Sequence, residues 1–223
     1  MGNQPARIVL VTGASRGVGA QVARRLASAD THVLVHYRRN AVAAEAVATA
    51  IRDAGGHAST LAADISDSAA TAAMMSSIKA RFGRLDAMIL DASGGLGSGS
   101  DTRYAVGGDR EAQRRLARLA MPLMPAGGRI VFATSHQAHF FPNKAVPKGY
   151  AAVAAGIRAG ETALSAMRLE FARAGITFTV VSGNLAGPLP ALDEFAAAIV
   201  RSVTTASPSG MVYVGSANYQ MTA

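Results

Sequence analysis

Seven short apolar runs separated by six amphipathic stretches limit this chain to very few architectures. The runs are RIVLVTG (7–13), HVLVHY (32–37), HASTLAAD (57–64), AMILDAS (87–93), RIVFATS (129–135), TFTVVSG (177–183) and MVYVGS (211–216). Helical patterns lie near 18–29, 41–54, 68–82, 109–121, 153–174 and 193–203. Strands that alternate with helices build a parallel, doubly wound sheet, because each crossover lays its helix on one sheet face. The runs are almost continuously apolar, as strands covered on both faces should be. No linker, repeat or shift of composition divides the chain, so residues 1–223 are expected to form a single domain.

Composition narrows the classes further. The chain has no cysteine, which excludes disulfides, thiolate metal sites and cysteine nucleophiles, and no metal site is expected. No apolar run approaches the roughly 20 residues that cross a bilayer. MGNQPARIVLVTG passes straight into a strand without a secretory segment, so the expected location is the cytoplasm. The formal charge is +8, with 19 Arg and only three Lys. Such an arginine bias fits either a GC-rich coding sequence or an anionic ligand paired to guanidinium. Arginines scattered along the chain, without Lys/Arg runs or interleaved aromatics, argue against nucleic acid.

The first run ends in TGASRGVG (12–19), which brings Gly13, Ser15, Arg16, Gly17, Val18 and Gly19 to a strand-to-helix turn. Glycines there let the backbone approach a pyrophosphate, and the following helix aims its first N–H groups at the negative charge. Placed after the first strand of an alternating pattern, the turn makes the domain Rossmann-like and dinucleotide-binding. The second run ends in Tyr37, Arg38 and Arg39, where an NAD-preferring site usually carries an acid for the ribose 2′-hydroxyl. Guanidinium groups pair with a 2′-phosphate that a carboxylate would repel, so NADPH is the expected cofactor.

These motifs, with Asp64 after the third strand and LDAMILDASGG at the fourth, resemble the short-chain dehydrogenase/reductase family over the whole chain. The resemblance implies that Asp64 and Ile65 flank the adenine. It sets Leu90, Asp91, Ala92 and Ser93, followed by Gly94, where the family usually has Asn-Asn-Ala-Gly beside the cofactor riboses. It also implies a serine at the end of the fifth strand, matched by Ser135, and a Tyr-x-x-x-Lys pair on the next helix. Counting back from LEFARAGITF (169–178) puts that tyrosine at Val153 and that lysine at Ile157, with Tyr150 one turn too early. Asp109 is the nearest match to a supporting asparagine. GNLAGPLPALDE (183–194) runs almost directly into the last helix, so the substrate lid is expected to be absent or very short.

Hydride addition to a carbonyl makes an alkoxide that needs a proton or its equivalent. Three sources are open: a phenol neighbouring the ketone on the substrate itself, then His136 or His139, then Tyr150. A flat aromatic ligand suits Val153 and Ile157, and Phe140 and Phe141 lie at a possible mouth. The sequence therefore resembles an atypical family member lacking the Tyr-Lys pair, of the kind that reduces a ring ketone of an aromatic polyketide in antibiotic biosynthesis. The alternative is a catalytically inactive NADPH-binding regulatory or partner protein of the same fold. A homodimer or homotetramer is compatible with the apolar helix at 153–174.

Overall fold

The computed structural model describes residues 6–91, 110–184 and 189–215. Its strands are β1 (Arg7–Val11), β2 (Thr31–Tyr37), β3 (His57–Ala62), β4 (Ala87–Asp91), β5 (Arg129–Ser135), β6 (Thr177–Gly183) and β7 (Met211–Val214). The helices are α1 (Gly17–Arg25), α2 (Ala41–Asp53), α3 (Ser68–Phe82), α4 (Arg110–Ala120), α5 (His136–His139), α6 (Ala151–Ala166), α7 (Arg168–Arg173) and α8 (Leu189–Thr204). The seven strands form one parallel sheet in the order β3-β2-β1-β4-β5-β6-β7. The doubly wound fold expected from the alternation is therefore the one observed.

Each apolar strand divides its residues between two cores, because successive side chains point to opposite faces. Ile8, Leu10, Leu90, Ile130 and Phe132 join Met74, Ile78, Leu116, Leu164 and Phe171 on one face. Val9, Val11, Ile89, Val131 and Val181 join Val22, Val47, Ile51, Phe195 and Ile199 on the other. Local signals set the helix ends. Asn40 Oδ1 accepts the Ala43 N–H at 2.9 Å, and Asp67 Oδ1 accepts those of Ala69 and Ala70 at 2.8 and 3.1 Å. Gly83, at φ +69°, closes α3 in the left-handed conformation.

Two boundaries differ from the sequence reading for physical reasons. The helix expected over 153–174 is two helices, because Met167 N–H turns back to the Leu164 carbonyl and the chain restarts at Arg168. The run TSHQAH yields a short helix, α5, since Ser135 Oγ accepts the Ala138 N–H at 3.1 Å and starts a turn immediately after β5. Only residues 184–188 separate β6 from α8, in keeping with a very short lid. Gly183 ends β6 against the Phe195 ring, which a β-carbon at that position would strike. Among the described residues no helix is long and apolar enough to cross a membrane.

Candidate active site

Strand order reverses between β1 and β4, and in open α/β sheets that is where ligands bind, beyond the strand C-termini. The glycine turn sits at this point. Gly13 and Gly17 adopt φ +64° and +57°, values that side-chain-bearing residues rarely take. No described residue comes within 4 Å of the space a Gly17 β-carbon would fill. A β-carbon on Gly19, by contrast, would come within 3.0 Å of Asp91 Oδ2 and of the Gly13 carbonyl. One glycine thus leaves room among the described residues and another packs the helix close behind it. Val18 is buried, while Arg16, exposed at the N-cap of α1, makes no side-chain capping bond there. The first turn of α1 carries no acidic side chain. An anion-seeking turn of this kind fits the diphosphate of a dinucleotide.

His36 holds the turn in place, a role the sequence reading missed. The ring is 1% exposed. Its Nδ1 accepts the Gly13 N–H at 3.2 Å, and its Nε2–H donates to the Ala63 carbonyl at 3.0 Å. A single neutral tautomer satisfies both ends and joins the tips of β1 and β3. Burial, only partly offset by the Ala63 bond and by Asp64, pushes its pKa down to about 4. The sign of the resulting pH dependence is fixed. The unfolded imidazole titrates near ~6.5, so the His36 contribution is fully present above that pH and lost as pH falls toward 4. From those two pKa values it amounts to about 3 kcal/mol. His32 and His136 are also shifted downward, mainly by burial, and add in the same direction. Urea unfolding midpoints are expected to drop between pH 6.5 and 4.5, above the carboxylate range, and His36→Asn should flatten that slope. A flat wild-type profile through this window would contradict the assignment.

Beyond the end of β2, Tyr37 is half-buried, Arg38 is partly buried and Arg39 is exposed. Arg38 Nη1 stands 3.7 Å from Asp64 Oδ2. Burial raises the Asp64 carboxyl, but the Ser66 hydroxyl and N–H, at 2.6 and 3.0 Å, together with Arg38 and Arg39, bring it below its ordinary value. Arg115, on α4, donates to the Ile65 and Ser66 carbonyls at 3.1 and 3.0 Å and holds the turn after β3. Asp64 and Ile65 are thus placed on one turn beside the two arginines. Ala92, Ser93, Gly94 and Asp109 lie outside the described residues.

Ser135 ends β5 and is 1% exposed. Its Oγ lies 3.5 Å from the Tyr150 hydroxyl, so these two candidates are brought together. Tyr150 stands at the N-cap of α6, and one turn on is Ala154, fully buried. Val153 and Ile157, the positions found by counting back from the helix end, point into the core at 3% and 5% exposure. That count crosses the break at Met167, where helical register is not carried through. Burial raises the Tyr150 pKa, against a smaller lowering by Ser135. No cation occupies the position one turn along.

His136 does not join them. It is buried, with Nδ1 2.8 Å from Ser182 Oγ and Nε2 3.1 Å from the Val214 carbonyl. Since Nε2–H donates to that carbonyl, Nδ1 accepts from the serine, and burial favours the neutral ring. This geometry ties β5, β6 and β7 together and does not suit a proton donor. His139 is bound to the buried Glu161 carboxylate at 2.9 and 3.0 Å and to the Tyr213 hydroxyl at 3.2 Å. Arg158 donates to the same carboxylate at 2.5 Å. No group of three possible metal ligands occurs among the described residues.

Residues 7–186 match the short chain dehydrogenase family. The chain belongs to that family. It is 31% identical over 186 residues to 1-cyclohexenylcarbonyl-CoA reductase of Streptomyces collinus, covering 80% of this chain. It is 30% identical over 187 residues to trihydroxynaphthalene reductase of Colletotrichum orbiculare, covering 79% of this chain. The chain spans 64% and 63% of the length of these two relatives. A metagenomic short-chain oxidoreductase solved in complex with NADP superposes with a TM-score of 0.77 at 25% identity, over 95% of this chain and 97% of that one.

Proposed function

We propose that the protein is an NADPH-dependent ketoreductase acting on a ring ketone flanked by a phenol, as in aromatic polyketides such as the angucyclinones. The observation that carries this is the pair Ser135, at the end of β5, and Tyr150, at the N-cap of α6, with no cation on the next turn of α6. A dinucleotide held by its diphosphate at the glycine turn would supply the hydride from its reduced nicotinamide. Ser135 and Tyr150 hold the carbonyl oxygen by hydrogen bonds and favour the charge that develops on it. Donation of the phenolic proton would leave a half-buried phenolate with no cation one turn on, at Ala154, among the described residues, which is costly. A phenol on the substrate, adjacent to the ketone, gives its proton internally and leaves a delocalised anion. Tyr150 is therefore an orienting group, and the substrate is the acid.

Support for a phenol-bearing ring comes from the similarity to a trihydroxynaphthalene reductase. On this proposal the chain would resemble the angucyclinone ketoreductase of simocyclinone biosynthesis. The experiment is consumption of NADPH with a bicyclic ketone carrying a peri hydroxyl, such as 8-hydroxy-1-tetralone, with product identified as the alcohol. Tight NADPH binding without turnover across a panel of such ketones would favour the inactive, regulatory reading instead.

A further inference from the structure

We infer that the protein carries a second anion site, for a phosphate group, at the end of the sheet opposite the glycine turn. It lies where β1, β4 and β5 begin. Arg7 and Arg129 are the first residues of β1 and β5, and Arg84 stands just before β4. Parallel register brings these ends together, since Val9 pairs with Ala87 and Ala87 with Arg129. The three arginines line one recess of about 330 Å³. At about 30 Å³ per water it has room for roughly ten waters, and so for a diphosphate. Gly13 follows Arg7 along β1 and beyond its end, about 20 Å away at the rise of an extended strand. The recess is therefore separate from the dinucleotide cradle.

Charge decides what the recess can take. Its one carboxylate among the described residues, Asp86, is already engaged. Asp86 Oδ2 accepts the Ile8 N–H at 2.8 Å and Arg84 Nε–H at 3.0 Å, and Oδ1 accepts from Arg84 Nη2. Asp86 thus offsets Arg84 and leaves two guanidiniums over. Arg7 Nη2 donates to the Val203 carbonyl at 2.9 Å, while Arg129 donates to the Gly127 and Ala206 carbonyls at 2.6 and 2.9 Å. Carbonyls orient a guanidinium without cancelling its charge. The C-terminal end of α8, which supplies the Val203 carbonyl, brings only about half a negative charge. Arg7 Nε and Nη1 and Arg84 Nη1 have no acceptor among the described residues. Residues 1–5, which lead into β1, include no Asp or Glu. A phosphate answers both the surplus charge and the idle donors, because guanidinium groups pair with its oxygens through parallel hydrogen bonds. A cation or an apolar ring answers neither.

The test is calorimetric titration of inorganic pyrophosphate, inorganic phosphate and phenyl phosphate into the full chain, at an ionic strength held constant with sodium chloride. Pyrophosphate should bind to saturation, and Arg7→Gln should weaken it about 10–100-fold, the loss of a charge-assisted pair. Arg84→Lys keeps a cation beside the buried Asp86 but lacks the fork of donors, so it should weaken binding several-fold. It is also the second variant if Arg7→Gln does not fold. Phenyl phosphate bound more tightly than phosphate would assign the site to a phosphate carried on an organic molecule; the opposite order would assign it to the free anion. An anion held at the glycine turn would ignore both substitutions. Equal pyrophosphate binding by wild type and both variants, or no heat beyond that of the chloride control, overturns the inference. Neither result depends on whether the chain binds NADPH.

Discussion

Methylating the peri hydroxyl of the ketone substrate should lower kcat/KM by about 10²–10⁴-fold, the range for losing a positioned general acid. The fall should lie mainly in kcat, since the ether still fits a site that recognises a flat ring. Among the described residues little stands ready to replace the lost proton. Ser135 spends one hydrogen bond on the start of α5, the imidazole of His136 is fixed between Ser182 and Val214, and Tyr150 faces Ser135 with a raised pKa. Simple aliphatic ketones, which lack any internal acid, should be similarly poor. A methyl ether reduced at the rate of the free phenol would contradict this and return the proton to the protein, with Tyr150 its first source.

The second large effect concerns cofactor choice. Replacing Arg38 and Arg39 together by alanine is expected to weaken NADPH binding roughly 10–100-fold while leaving NADH nearly unchanged. That range corresponds to one or two charge-assisted bonds to a 2′-phosphate. Both act on Asp64, which Arg38 approaches to 3.7 Å, so each single alanine should give part of the loss. Parallel loss of both cofactors would show instead that the pair supports the fold of the loop. Fluorescence titration of each nucleotide separates the outcomes.

What could be read in advance depended on whether a local pattern carried the information. Continuous apolar runs such as RIVLV and RIVFATS announce strands covered on both faces, and the two cores show why: Ile8 and Val9 serve opposite sides of the sheet. The glycine turn was legible because Gly13 and Gly17 need backbone angles that few residues adopt. His36 was not, because an imidazole inside an apolar run gives no sign of which distant N–H and carbonyl it will join. Its partners, Gly13 and Ala63, lie far away along the chain. The pairing of Ser135 with Tyr150 was also hidden. Counting from the far end of the helix assumes unbroken register, and Met167 interrupts it. The glycine that ends β6, Gly183, acquires a reason only in three dimensions, where Phe195 packs directly on it.

The most direct test of the central claim, that the protein orients the carbonyl but does not supply the proton, is the turnover rate of Tyr150→Phe beside that of Ser135→Ala. With the phenol-bearing ketone and saturating NADPH, Tyr150→Phe should lose less than about tenfold, the worth of one orienting hydrogen bond. Ser135→Ala should lose more, because it removes both a carbonyl partner and the cap of α5. A loss of 10³-fold or more in Tyr150→Phe, with the fold intact by circular dichroism, would mean that Tyr150 is the acid after all.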